Sequence, residues 1–320
     1  MMATNTRQLS THAGLIAILL VLALWMPLPL YLVSLALFGL PHIVLELSFL
    51  RSRYAARWPT RWWIALGIVL LLQALGRAAA WHGEFSVESS RIVDVLALFL
   101  LALLILLAPM RVGWPARVTG LLGAGAVMWL LERGDLVEAL LLLAIAHNFT
   151  PLALAWDMAR EHRPARGMAW MITGMLMLPP LVALSAWGGG IVPAAFAGQS
   201  WSLAGQLPSN IDGARGEAVL SAIVLAQCLH YYCVIVLLPR AEARRVGKAI
   251  TPAPLLFALL VAVLLHLAYY LHDFSSARQL YAVAAGFHAW LEWPVLLMAL
   301  LCMGPSMQQP GGGTARAMDA

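Results

Sequence analysis

Long apolar runs, each broken by a short polar or proline-bearing stretch, fill most of the chain. They cover positions 12–27, 29–50, 62–77, 92–110, 116–131, 136–157, 167–187, 217–239, 253–272 and 278–303. A helix needs roughly 20 mostly apolar residues to cross a bilayer core. In hydrocarbon the backbone must satisfy its own hydrogen bonds, so runs of this length are helical. The pattern predicts an all-α fold: a polytopic transmembrane helical bundle of about ten spans. Only Met26-Pro27-Leu28-Pro29 separates the first two runs, which also allows one broken helix. Pro179 and Pro180 predict a kink in the seventh span. The connection 188–216 is rich in Gly, Ser and Pro, and no internal repeat is found. Residues 1–303 then form a single integral-membrane domain. The stretch 304–320, where Pro310 precedes three glycines, reads as a disordered cytoplasmic tail.

Composition narrows the function classes. The chain is 62% hydrophobic and 11% charged, against about 25% charged in an average soluble domain. That excludes an ordinary soluble enzyme. The net charge of +5 and pI near 9.4 point to membrane orientation rather than nucleic acid. Nineteen of the twenty bases are Arg, Lys248 being the exception, and they cluster in short loops. With the N-terminus in the cytoplasm, fifteen fall on the inner side and five (Arg77, Arg91, Arg133, Arg215, Arg278) on the outer side. This bias predicts a multi-pass protein of the inner (plasma) membrane with both termini cytoplasmic. Cys228, Cys233 and Cys302 lie in apolar runs without a pairing pattern and read as buried free thiols. The first run lacks a small-residue cleavage site, so no removable signal is predicted. Trp62, Trp63, Trp81 and Trp114 read as an interfacial belt.

Ionisable groups in hydrocarbon are costly, so each is a functional candidate. Counted from the outer ends of their spans, His42 lies 13 residues deep, His147 lies 11, His230 lies 13 and His288 lies 10. At about 1.5 Å per residue these depths agree within roughly 5 Å. Four imidazoles at one level predict a midplane histidine cluster, and imidazole is a common ligand of iron, copper and zinc. Glu46 follows His42, and Glu292 follows His288, by one turn, so each pair shares a helix face. These carboxylates read as further ligands, acceptors for the imidazole N–H, or proton relays. Gln227, three residues before His230, suits a similar supporting role, and Asn148 points away. His266 is shallower and reads as a packing residue. Asp94 and Glu138, near outer span ends, are expected to reach interfacial water. His12, His82, His162 and His272 receive no chemistry. Trp290 and Trp293 flank Glu292, as an apolar pocket wall or as core.

The segment Phe38-Gly39-Leu40-Pro41-His42-Ile43-Val44-Leu45-Glu46 resembles the Gly-Leu-Pro-His-Gly-x-x-Asp signature of the Brp/Blh family, the membrane β-carotene 15,15'-dioxygenases. Ala146-His147-Asn148-Phe149, Ala226-Gln227-Cys228-Leu229-His230 and Phe287-His288-Ala289-Trp290-Leu291-Glu292 are similar, in order and position, to the family's later histidine elements. The chain departs at Ile43, where the family has Gly, at Glu46, where it has Asp, and after His230, where a second family histidine is absent. The resemblance implies non-haem Fe(II) held by His42, His147, His230 and His288, with Glu46 and Glu292 as catalytic carboxylates. It also implies dioxygen and a lipophilic substrate from the bilayer, with carotenoid cleavage to retinal. The same histidines also suit a b-type haem membrane cytochrome or a proton-coupled transporter.

Overall fold

The computed structural model describes residues 2–107, 145–160, 166–185 and 213–301, with six isolated positions between 118 and 129. Among the described residues there is no strand. The helices are α1 (Met2–Trp25), α2 (Pro27–Tyr54), α3 (Thr60–Trp81), α4 (Val87–Leu106), α5 (Thr150–Ala159), α6 (Arg166–Ser185), α7 (Gly213–Tyr232), α8 (Leu238–Val246), α9 (Ala253–His272) and α10 (Phe274–Leu301). A π-helical turn, Cys233–Leu237, joins α7 to α8 without a break. Local chemistry sets several starts. Pro27 opens α2, where its missing N–H is not needed. The Ser86 hydroxyl accepts from the Ser89 N–H at 3.0 Å to cap α4. Asp273 Oδ1 accepts from the Ser276 N–H at 3.1 Å to start α10, and the Ser276 contacts hold its carboxyl below the usual range.

Seven described helices are long and apolar enough to cross a membrane, ending with Ala253–His272 and Phe274–Leu297. The first two apolar runs form two helices separated at Met26, not one broken helix; the apolar part of α1, Thr11–Trp25, is shorter than a full span. Most of the expected span 116–131, the part of 136–157 before residue 145, Trp114, Glu138, His162, Cys302 and the tail lie outside the described residues. Two expectations are corrected. Asp94 does not reach water: it is buried and accepts from Gln73 Nε2 at 2.9 Å and from Arg77 Nε and Nη2 at 3.1 and 2.9 Å. A carboxylate this apolar bundle buries needs such charged donors. Trp62 is likewise no belt residue. It is buried beside Trp58, with ring centroids 5.1 Å apart, and completes the core with Phe49, Leu66 and Trp290.

Helix α7 is the axis of the bundle: the continuous stretch Gly216–Val246 to which it belongs is mostly buried, whereas the lipid-facing α9 is mostly exposed. It packs on α1, α2 and α6, and α2 in turn packs on α9 and α10. Pairings along α2 ascend together with those on its partners. Gln227 Nε2 donates to Ser34 Oγ, His42 meets His230, and Ser52 Oγ donates to Glu242. Gly39 meets Tyr281 and His42 meets His288. Helices α2, α7 and α10 therefore run parallel. We call the face where they begin the near face and the face where they end the far face.

At the far face a buried ion network ties three helices. Arg53 of α2 donates through Nε to Asp157 Oδ2 of α5 at 2.7 Å, and Tyr54 Oη donates to the same oxygen at 2.9 Å. Arg53 Nη1 lies 3.6 Å from Glu242 Oε2 of α8, which also takes Arg245 Nε at 2.8 Å. Removing one partner of a buried pair costs roughly 3–5 kcal/mol, because the other charge is left in low dielectric. Asp157→Ala is thus expected to lower the thermal midpoint in detergent clearly, whereas Arg91→Ala, at an exposed pair with Glu88, is not. Equal midpoints for Asp157→Ala and wild type would refute the clamp.

Candidate metal centre

Four helical segments each deliver one imidazole to the same point. His42 stands on α2 directly after Pro41, whose ring removes an N–H from the helical ladder. His147 is the last helical residue before the turn into α5, which Thr150 anchors by donating its hydroxyl to the His147 carbonyl at 2.7 Å. His230 lies on α7 just before the π-helical turn, a distortion frequent at functional sites. His288 sits in the middle of α10. The rings close a four-sided figure. Centroid distances are 4.7 Å for His42–His288, 4.8 Å for His288–His147, 4.7 Å for His147–His230 and 5.5 Å for His230–His42.

One ligating atom from each of the four histidines and from Glu46 lies within 4.8 Å of all the others. His42 Nε2 and His288 Nε2 are 3.2 Å apart. Two nitrogens bound side by side at about 2.1 Å to one ion stand roughly 3.0–3.4 Å apart, so this spacing suits a shared cation. On the other side of its ring, His42 Nδ1 lies 3.2 Å from the Phe38 carbonyl. A carbonyl only accepts, which assigns the ring proton to Nδ1 and leaves Nε2 with a lone pair for the centre.

The carboxylates do not serve the histidines on their own helices. Glu46 Oε2 lies 3.5 Å from His230 Nε2 and 3.6 Å from His288 Nε2, while Glu292 Oε2 lies 2.8 Å from His147 Nδ1. Each reaches across to another helix, and the two carboxyl groups also neighbour each other. Two such groups in hydrocarbon repel unless a proton or a cation accompanies them. All six residues are 0–8% exposed. Nine nitrogen and oxygen atoms of Glu46, His147, His230, His288 and Glu292 are buried without a well-formed hydrogen bond; the close His147–Glu292 contact is off the line of one. Buried polar groups are normally satisfied, so this concentration of open lone pairs fits a cation.

The remaining candidates are placed elsewhere. Gln227 supports Ser34 rather than a histidine. Asn148 is buried in the turn after His147. His12 bonds through Nδ1 with the Tyr232 hydroxyl at 2.8 Å, fastening α1 to α7. Cys228 and Cys233 are buried and unpaired. Trp290 is core. Residues that depth counting misses are Tyr231 and Tyr281. The Tyr231 ring lies 4.4 Å from that of His42, and its hydroxyl is 3.2 Å from Tyr281 Oη. Their only sequence signal is phenols within otherwise apolar runs.

Gly39, one turn before His42, lets Tyr281 approach: a Cβ there would lie 2.7 Å from the Tyr281 ring. Gly39→Ala forces that ring aside, an overpacking that typically costs about 1–3 kcal/mol. The thermal midpoint is expected to fall, and to recover in Gly39→Ala/Tyr281→Leu. A lone Gly39→Ala as stable as wild type would contradict the close approach. Compared with protein-family models, with curated proteins and with solved structures, the chain finds no match.

Proposed function

We propose that the chain is a membrane-embedded non-haem iron oxygenase acting on a lipophilic substrate. The observation that carries this reading is the meeting of four buried imidazoles and Glu46 around one point, where nine polar atoms of Glu46, His147, His230, His288 and Glu292 have no hydrogen bond. His42, His147, His230 and His288 would hold the ion. Glu46, beside His230 and His288, and Glu292, beside His147, would offset its charge. Ferrous iron bound there supplies the activation of dioxygen needed to split an electron-rich double bond into two carbonyls. Four imidazoles and a carboxylate converging within 4.8 Å supply a complete ligand set from the protein itself, which favours a non-haem ion over haem.

A substrate approach lies beside the centre. A half-open cavity of about 180 Å³ sits between α1, α2 and α7, lined by Leu15, Leu19, Leu30, Val33, Phe38 and Tyr231 among others. An apolar cavity on the order of 150 Å³ takes a benzene-sized ligand, so this one suits a short stretch of a hydrocarbon chain. Tyr231 is its wall toward His42. With the resemblance of Gly39-Leu40-Pro41-His42 and the later histidine elements to the Brp/Blh proteins, these features make oxidative cleavage of a carotenoid the reading for the substrate. The topology that goes with it has about ten spans and both termini in the cytoplasm, so the near face is outside and the far face, with its arginine clamp, inside.

Purified protein is expected to carry stoichiometric iron with no Soret band. His147→Ala should lose most of that iron. Unchanged iron in the variant would sink the ligand set, and a Soret band would replace it with haem. Carotenoid-producing cells expressing the protein are expected to bleach and accumulate retinal. Cells that keep their colour, with iron still bound, would remove the carotenoid and leave the metal centre.

A further inference from the structure

Between the histidine centre and the near face lies a second polar group, of which the oxygenase reading uses only Tyr231. Four of the chain's seven tyrosines gather there: Tyr31 of α2, Tyr231 of α7, Tyr270 of α9 and Tyr281 of α10. Tyr31 is an electrostatic neighbour of the other three phenols. His266 of α9 joins them, with its ring centroid 6.3 Å from that of Tyr281 and 6.1 Å from that of Tyr270. The group spans most of the distance from the near face inward. Tyr281 stands seven residues before His288, and Tyr31 eleven before His42, which is roughly 10 Å and 16 Å along the helices. At its inner end the Tyr281 and Tyr231 hydroxyls bond at 3.2 Å, and the Tyr231 ring rests on His42.

The bonding of this group is incomplete. His266 is 6% exposed, and its Nε2 is buried without a partner among the described residues. So is Tyr270 Oη, one turn away on the same face of α9. A buried donor or acceptor left unmade costs about 1–3 kcal/mol. Two of them side by side, within a cluster of phenols, are what an ordered water satisfies, since such waters typically make about three bonds to otherwise open polar groups. Dry apolar packing would have placed Phe and Leu at these positions.

We propose that His266, Tyr270, Tyr281, Tyr231 and Tyr31 hold a chain of ordered water leading from the near face to the edge of the histidine centre. The inference builds on the oxygenase reading only in its purpose: a centre sealed in hydrocarbon exchanges water and protons with the outside through such a path. Water and hydroxyls pass protons by exchanging bonds, so no member has to hold a charge. The path meets His42 from the side opposite the clamp, and Tyr231 stands between it and the apolar cavity.

Radiolytic hydroxyl labelling of the full chain in nanodiscs tests this, because the radical forms from water in place and marks only side chains that water touches. Tyr270 and Tyr281 are expected to be labelled, and the fully buried Met171 and Met175 of the apolar core to stay unlabelled despite their greater reactivity. In His266→Leu, and separately in the milder Tyr270→Phe, labelling at Tyr281 should be lost while metal content stays at the wild-type level. Wild-type Tyr281 without label, or label retained in both variants, overturns the path. A chain that shows the labelling but binds no metal keeps the path and removes the oxygenase, so the two failures are told apart.

Discussion

A bilayer offers no water to a polar atom, and this one constraint organises the protein. Every nitrogen and oxygen that the helices carry into hydrocarbon needs a partner from the protein or from something it binds. At the far face the answer is charge pairing within the protein: Arg53, Asp157, Glu242, Arg245 and Tyr54 meet across α2, α5 and α8. Near the other face Arg77, Asp94 and Gln73 do the same between α3 and α4. In the middle the helices bring six ionisable groups together and leave most of their lone pairs open. The contrast matters because the chain sets Asp94, Asp157 and Glu242 against arginines, and Glu46 and Glu292 among histidines.

The charge-paired networks explain how the centre keeps its shape. Helices in lipid gain little from burying apolar surface against each other, so small residues and polar contacts set their rotation and height. Gly39 and Gly76 let the Tyr281 and Val93 side chains come within contact of the backbone. The Arg53–Asp157 pair fixes α2 against α5, whose first turn follows His147. Gln227 to Ser34 fixes α2 against α7 one turn before His230. Each histidine-bearing element is thus pinned within a few turns of its imidazole, which preorganises the ring positions before any ion arrives.

The meeting of the four histidines is legible from depth alone, because the rise per residue in a helix hardly depends on its neighbours. Which carboxylate serves which histidine is not. The one-turn spacing of His42 with Glu46 and of His288 with Glu292 suggests partners on the same helix, but Glu46 turns to His230 and His288, and Glu292 to His147. That outcome follows from helix rotation, which tertiary packing sets and periodicity does not encode. Asp94 and Trp62 are misread for a related reason. Position near a span end suggests water, yet a neighbouring helix carrying Gln73 and Arg77, or Trp58 beside the ring, converts the same depth into core. The tyrosine group is invisible in sequence, being drawn from four helices with only His266 and Tyr270 in register.

The crossed pairing has a mechanical consequence for the centre. A carboxylate that bonds to a histidine of its own helix holds one ring and says nothing about the others. Glu46 on α2 touching rings from α7 and α10, and Glu292 on α10 touching the ring that precedes α5, instead couple all four elements through two side chains. A shift of any one helix then changes the distances around the whole four-sided figure. A cation at its middle would stabilise one arrangement of the bundle rather than one local site, so that its binding and the packing of α2, α5, α7 and α10 would be a single equilibrium.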